Sequence, residues 1–286
     1  MPELPEAEVA RRDLEREVAG LKIKSADVPG RGVLLHHRTK ADFAKRLVGA
    51  KVKSFDRRGN VIVGKLDTDD FIVIDLGATG RLRRLRTGKL PAGLPIAASI
   101  VFTQKGSVHL IDPAATRSGA KDAPSHVFVA TKEDLLEAPE FADLGMDPLE
   151  TPVPWQQFGL TLRRYPRSKL KAIMQNQEVV AGLGYVYTDE ILFRASLRPD
   201  RLPESLSAHE VRRLYRAMVE TLVDAVKARG VSLDETDVDM FGEPGKFASD
   251  LAVHGRSGER CVRCRGTVEK IRFQKKSAYF CPGCQS

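Results

Sequence analysis

The sequence predicts an α+β protein of several domains, with a β-sandwich first, helices next and a four-cysteine zinc ribbon last. Three observations carry this. Short runs rich in β-branched residues fill 21–130, helical periodicity takes over after about 155, and all four cysteines fall between 261 and 284. A chain of 286 residues is long enough for two or three domains, each with its own core. The expected divisions are 1–132 for the β-rich domain, 133–154 for a linker with four prolines, 155–245 for the helical domain and 246–286 for the ribbon.

The elements follow in order. Leu4, Ala10, Leu14 and Val18 recur at helical spacing, Pro5 suits a first turn and Gly20 a stop, which predicts a helix over 4–20. The runs KVKSF, NVIVGKL, FIVIDL, SIVFT and SVHLID then read as strands separated by turn residues. AATRSGAKDAPS, at 114–125, lacks periodicity and is expected to be an exposed loop. Further on, Ser207 and Glu210 form a capping-box pattern. Val211, Leu214, Met218, Leu222 and Val226 mark the buried face of the helix it opens, and Gly230 ends that helix.

With 46 Lys and Arg against 38 Asp and Glu, the chain carries a formal +8 and a pI near 9.3, which nominates a polyanionic partner, nucleic acid before membrane. Clusters at Arg57 and Arg58, RLRRLR at 81–86 and RRYPRSKLK at 163–171 read as a phosphate track. The N-terminus has no basic stretch followed by an apolar core, and FIVI is far too short to span a bilayer. A cytoplasmic monomer is expected, associated with the nucleoid if its source is bacterial, with no membrane partner.

Cys261-x2-Cys264, sixteen residues and Cys281-x2-Cys284 have the spacing of a tetrahedral four-thiolate site for one structural Zn2+. A unit this small needs the metal as its core. Disulfides are the alternative, disfavoured by the lack of an export signal and of any other cysteine. Between Arg256 and Lys276 lie eight basic residues and two acids, so the ribbon should meet phosphates.

These features, taken with the opening Met1 and PELPE, resemble the formamidopyrimidine-DNA glycosylase and endonuclease VIII family. EVVAGLGYVYTDEILFRASLRPDR at 178–201 is similar to its helix-two-turn-helix element, and the terminal ribbon to its zinc finger. The resemblance implies an N-terminal β-sandwich flanked by helices, a helical helix-two-turn-helix domain and DNA held between them. It implies base-excision repair by a DNA glycosylase with abasic-site lyase activity. Removal of Met1 would free the Pro2 amine, which titrates near pH 8 and can attack C1′ of a flipped damaged nucleotide. Glu3 would act as acid and base, with Glu6 one turn further on the same face. The implied DNA contacts are Arg57, Arg58, Asn60, Lys169, Gly184, Tyr185 and Lys276.

Several positions depart from the family pattern. RRGNV puts Asn60 where the family has a lysine that assists elimination, and Lys65 is the substitute candidate. LGATG and DPAATRSG place Ala78, Ala114 and Ala115 where the family has void-filling side chains, with Arg117 a candidate to compensate. Tyr185 replaces a phosphate-binding asparagine, and Lys276 an arginine whose bidentate fork it lacks. The missing wedge points to damaged DNA that is abasic, single-stranded or already extrahelical. It also sustains a second reading, a non-catalytic DNA-binding protein on the same scaffold. RNA binding through the same surfaces is a third.

Overall fold

The computed structural model describes residues 2–116, 123–150, 153–273 and 276–286, with the side chains of Arg31 and Glu140 excepted. Met1 and Arg117 lie outside the described residues. The chain divides into two compact units, Met1–Ala142 with Arg229–Gly245, and Asp143–Ala228 with Lys246–Ser286.

The first unit opens with α1 (Leu4–Val18), β1 (Ile23–Asp27) and α2 (Lys40–Leu47), and continues through β2 (Val52–Arg58), β3 (Val61–Leu66), β4 (Phe71–Asp75) and β5 (Arg81–Leu85). β6 (Ile96–Phe102), β7 (Ser107–Ile111), the single turn α3 (Pro113–Thr116), β8 (His126–Ala130), α4 (Lys132–Glu137) and α5 (Pro139–Ala142) complete it. The strands form two antiparallel four-stranded sheets, ordered β1-β6-β7-β5 and β2-β3-β4-β8. Ile62, Leu66 and Ile72 of one sheet share a core with Phe102, Val108 and Leu110 of the other, and Leu14 and Val18 of α1 close it. This is the expected sandwich.

The second sheet is also covered on its outer face. Val61, Val73 and Phe128 pack there with Ala138, Leu135 and Phe141. Much of the stretch expected as linker is therefore helical cover, because Thr131 and Asp134 form a reciprocal capping box that starts α4. In the segment expected as an exposed loop, Ala114 and Ser125 are buried.

Residues 229–245, expected to end the helical domain, pack with the first unit instead. The reason is a set of bonds no helical pattern announces. Arg84 donates its backbone N–H to the Met240 carbonyl at 2.7 Å, and the Arg229 guanidinium bridges Asp13 on α1 and Asp239.

The second unit contains α6 (Trp155–Arg163), α7 (Leu170–Met174), α8 (Tyr185–Arg194), α9 (Ala208–Lys227), β9 (Glu269–Phe273) and β10 (Lys276–Phe280). α9 has the expected cap, with Ser207 Oγ accepting from the Glu210 N–H at 3.2 Å and Glu210 accepting from the Ser207 N–H at 2.8 Å. Its apolar stripe is buried. β9 and β10 form a hairpin in which Lys276 faces Phe273.

Candidate active site and nucleic-acid-binding surfaces

In the first unit, Pro2 and Glu3 are buried at the start of α1. Glu3 is the N-cap. Its side chain accepts the Glu6 backbone N–H, and Glu6 Oε2 accepts the Glu3 N–H at 2.8 Å. Both acids thus do what a helix start favours. Glu6 also reaches further, since its other oxygen accepts the Val231 N–H at 2.8 Å. Gly230 makes room for it: a Cβ there would lie 2.5 Å from that oxygen, and φ is +80°. The residue read from sequence as a helix stop is equally a seat for Glu6.

Pro2 and Glu6 line a pocket with Gly80, Arg81, Arg229 and Ser232. Its two arginines are paired with carboxylates, Arg81 with Asp237 and Arg229 with Asp13 and Asp239. Burial lowers the Arg81 pKa. Burial also works against the charge on Arg229, but hydrogen bonds to Asp13 and Asp239 outweigh it and raise that pKa. Sequence reasoning missed this set; its trace was the acidic run DETDVD at 234–239, directly after the helix stop.

The hairpin turn between β2 and β3 brings Asn60 to the same place. Asn60 Nδ2 donates to the Pro2 carbonyl at 3.2 Å, while its Oδ1 is buried and has no hydrogen-bond partner among the described residues. Lys65 cannot stand in. It lies five residues along β3, about 16 Å away at strand rise.

Two basic clusters are not the track expected. Arg57 is buried, with Nε 3.0 Å from Glu8 Oε2 and Nη1 donating to the Gly59 carbonyl at 2.9 Å, so it props the hairpin from behind and is not presented to DNA. Arg58, next along the strand, is exposed. All but the last residue of the run RLRRLR form edge strand β5. Arg84 turns inward and donates to the Leu85 and Ser107 carbonyls at 2.7 and 2.9 Å, Arg83 donates to the Asp239 carbonyl at 3.2 Å, and Arg86 forks onto Glu17 at 2.7 and 2.9 Å.

The two loops are tied firmly, but at Ala78, Ala114 and Ala115 they carry only methyl groups. Asp112, fully buried, accepts from Thr79, from the Ala114 N–H at 2.8 Å and from the Ser125 N–H at 2.6 Å, tying both loops together. Burial opposes its charge and these donors more than offset it, so its pKa is lowered. Ala115 packs on the sandwich core and Ala114 is buried, so neither is a wedge.

In the second unit, the expected contacts Lys169, Gly184, Tyr185 and Lys276 come together. Gly184 is the N-cap of α8, and its carbonyl accepts from Thr188 at 2.6 Å and Gln175 at 3.2 Å. The Lys276 ammonium sits 4.1 Å from the Tyr185 ring centroid, and that of Lys169 5.9 Å from the Phe273 ring. These are cation–π distances. Lys171, read as part of the same track, is fully buried. Its Nζ contacts Asp189 Oδ1 at 2.6 Å and donates to the Ser277 carbonyl of β10 at 3.0 Å. The second Asp189 oxygen lies 2.9 Å from His254 Nδ1. Neighbouring Glu190 accepts the backbone N–H groups of Ala252, Val253 and His254 at 2.8–3.0 Å, and burial raises its pKa. This buried network had no periodic signal in the sequence.

The four cysteine sulfurs lie within 4.8 Å of one another, with Cys261–Cys284 at 3.7 Å and Cys264–Cys281 at 3.5 Å. A tetrahedron of Zn–S bonds near 2.3 Å has edges of about 3.8 Å, so the thiolate set fits a single zinc ion. Gly266 and Gly283 leave the Cys264 sulfur its space, since a Cβ at either would stand 3.3 Å from it. Cys261 and Cys281 pack with Phe193, Val253 and Val268, the small apolar cluster beneath the metal site.

Comparison with known proteins agrees with this architecture piece by piece. Residues 1–118 match the formamidopyrimidine-DNA glycosylase N-terminal domain, 144–237 the H2TH domain of the same enzymes and 258–286 a zinc finger found in FPG and IleRS. The chain is 32% identical over 286 residues to a formamidopyrimidine-DNA glycosylase of Desulfitobacterium hafniense and 34% identical over 287 to one of Geobacillus kaustophilus, with all of each chain covered. Among solved structures, Lactococcus lactis Fpg bound to DNA containing an abasic site superposes with a TM-score of 0.87 at 26% identity over 99% of both chains. The same enzyme with DNA containing an oxidised pyrimidine gives 0.86 at 27% over all of both. With matched domains spanning the chain in order, and relatives above 30% identity along its full length, the protein belongs to the formamidopyrimidine-DNA glycosylase family.

Proposed function

We propose that this protein is a base-excision-repair DNA glycosylase with abasic-site lyase chemistry. Once Met1 is removed, Pro2 presents a secondary amine with a useful neutral fraction near pH 8. That amine attacks C1′, the base departs and an iminium forms. Glu3, adjacent and buried, exchanges the protons of these steps, and Glu6 orients the site through the Glu3 and Val231 amides. The observation that carries this reading is the convergence of Pro2 and Glu6 on one pocket, with Glu3 capping the same helix start. The names of its relatives, and the abasic DNA bound by Lactococcus lactis Fpg, supply the substrate class.

Arg58 in the first unit, and Lys169, Tyr185 and Lys276 in the second, are the proposed phosphate contacts, the last three accompanied by the amides at the Gly184 helix start. Ala78, Ala114 and Ala115 offer nothing to fill the space of an extruded base. Action on abasic, single-stranded or already extrahelical nucleotides follows, because such substrates lack much of the unstacking cost of a few kcal/mol; the acting form is proposed to be the monomer.

Borohydride trapping on an abasic-site oligonucleotide tests the proposal. A covalent adduct that vanishes with Pro2→Gly is expected. Tight zinc-dependent DNA binding without an adduct would instead favour the non-catalytic reading, to which the core-packed Ala115 lends support.

A further inference from the structure

We infer that this site resolves its covalent intermediate chiefly by hydrolysis, with Asn60 as the positioning residue, so that most turnovers release a base and leave the strand uncut. The inference rests on the Pro2 reading above. Two outcomes are open to an iminium between Pro2 and C1′. In β-elimination a base takes a C2′ proton, the C2′=C3′ bond forms and the C3′–O bond breaks, expelling an anionic phosphate. In hydrolysis water adds to C1′, the N–C1′ bond breaks, Pro2 regains its amine and C1′ becomes an aldehyde, with Glu3 relaying the proton.

The first outcome is helped by a cation or acid near the leaving phosphate. The two pocket-lining cations are both held by carboxylates, Arg81 by Asp237 and Arg229 by Asp13 and Asp239. Arg57, behind the hairpin, is held by Glu8. The hairpin turn itself offers Asn60, whose neutral amide has no proton to give at ordinary pH, and Arg58 just before it, the proposed phosphate contact, stays protonated and so can grip a phosphate without giving up a proton to it.

The second outcome is helped by what Asn60 does have. Its Nδ2 fixes the Pro2 carbonyl at 3.2 Å, which orients the amide and leaves Oδ1 beside Pro2 as a buried acceptor without a donor among the described residues. Such an acceptor is costly to leave empty, and it can accept a hydrogen bond from water once the covalent intermediate opens the site. It lies next to the residue whose iminium water attacks.

The test uses the processed, zinc-loaded full chain and a duplex with one abasic site. Trapping with borohydride reports the iminium, and strand nicking without it reports elimination. In the wild type, nicking is expected to lag trapping by at least about tenfold, a lower bound beneath the roughly hundredfold or more that one general acid–base group contributes. Asn60→Lys should raise the nicking-to-trapping ratio by about tenfold or more. Asn60→Asp keeps the size and an acceptor but loses the donor to Pro2, and should slow trapping without restoring nicking. A loss of fold would lower both rates together and leave the ratio unmoved, so the ratio reads chemistry. Nicking that keeps pace with trapping in the wild type, or a ratio unchanged by the lysine, overturns the inference alone. No adduct in any of the proteins overturns it together with the Pro2 mechanism.

Discussion

Positive charge is handled in opposite ways around the pocket of the first unit and around the Lys276–Tyr185 contact of the second. Around the first, arginines meet carboxylates: Arg57 with Glu8, Arg81 with Asp237 and Arg229 with Asp13 and Asp239, as Arg86 does with Glu17 further along the same unit. In the helical and ribbon unit, Lys276 and Lys169 instead rest over the rings of Tyr185 and Phe273. A carboxylate cancels an ammonium's field at a distance, whereas an aromatic face steadies the cation and leaves its net charge intact. The formal +8 of the chain is therefore a poor guide to where DNA is gripped. The first unit builds a shaped and internally neutralised pocket; the surface around Tyr185 and Phe273 in the second presents the charge of Lys276 and Lys169.

The same division should appear in stability. Removing zinc with a chelator ought to have the largest effect of any single perturbation, because four converging thiolates, packed on a small apolar cluster, hold the two Cys-x2-Cys turns of the ribbon together. Binding energy of such sites is on the order of 10 kcal/mol or more and is largely folding energy. Hydrogen exchange should then show lost protection at β9 and β10, with the sandwich strands still protected. DNA affinity should fall with it. Equal loss of protection in both units would mean the metal supports more than the ribbon.

A smaller effect breaks the first unit from inside. Burial works against ionisation of Glu8, yet Arg11, Arg12 and Arg57 outweigh it and bring its pKa down from 4.5 to about 2. A carboxylate depressed in the folded state stabilises above its unfolded pKa and loses that contribution as pH falls toward the folded one. For Glu8 the window runs from about pH 4.5 down to about 2, and the contribution is roughly 3 kcal/mol. Glu8→Gln should cost a similar amount at neutral pH, because it leaves Arg57 buried with only part of its bonding. Denaturant melts of the variant should also be flatter across that acid range. A variant as stable as the parent would show that the Arg57–Glu8 pair is not what holds the hairpin.

How legible all this was in the sequence depended on whether the signal was local. α1 and α9 were readable because apolar side chains repeat at helical period, and β2, β3, β4, β6 and β7 because short β-branched runs are bounded by turn residues. The cysteine site was readable because metal geometry fixes ligand spacing. β5 was not, since RLRRL alternates arginine on both faces and only the structure shows Arg84 turned onto the Leu85 and Ser107 carbonyls. Lys171 was misread for a related reason: a lysine among arginines looks solvated until Asp189, eighteen residues away, is seen against it. Within the candidate site, Pro2, Glu3 and Asn60 could be singled out through the family resemblance. Their relation to Arg229, Asp239 and Gly230 could not, because contacts across more than two hundred residues leave no local trace.

The finest test of the contrast compares single side chains in DNA binding. Lys276→Ala removes a cation that rests on an aromatic face, and should weaken binding about equally across sequences while lowering the log–log salt slope by about 1. Tyr185→Leu keeps that charge but removes the face that places it 4.1 Å from the ring. Its cost should be about 0.5–1 kcal/mol, the worth of an exposed cation–π contact, with the slope unchanged. Arg86→Ala is the counterpart in the first unit. Arg86 is exposed and basic, yet its guanidinium forks onto Glu17 at 2.7 and 2.9 Å, so its removal should leave the slope unchanged. If instead Arg86→Ala lowers the slope as Lys276→Ala does, the arginine leaves its carboxylate for a phosphate when DNA arrives. The neutralised face of the first unit would then be a property of the free protein alone.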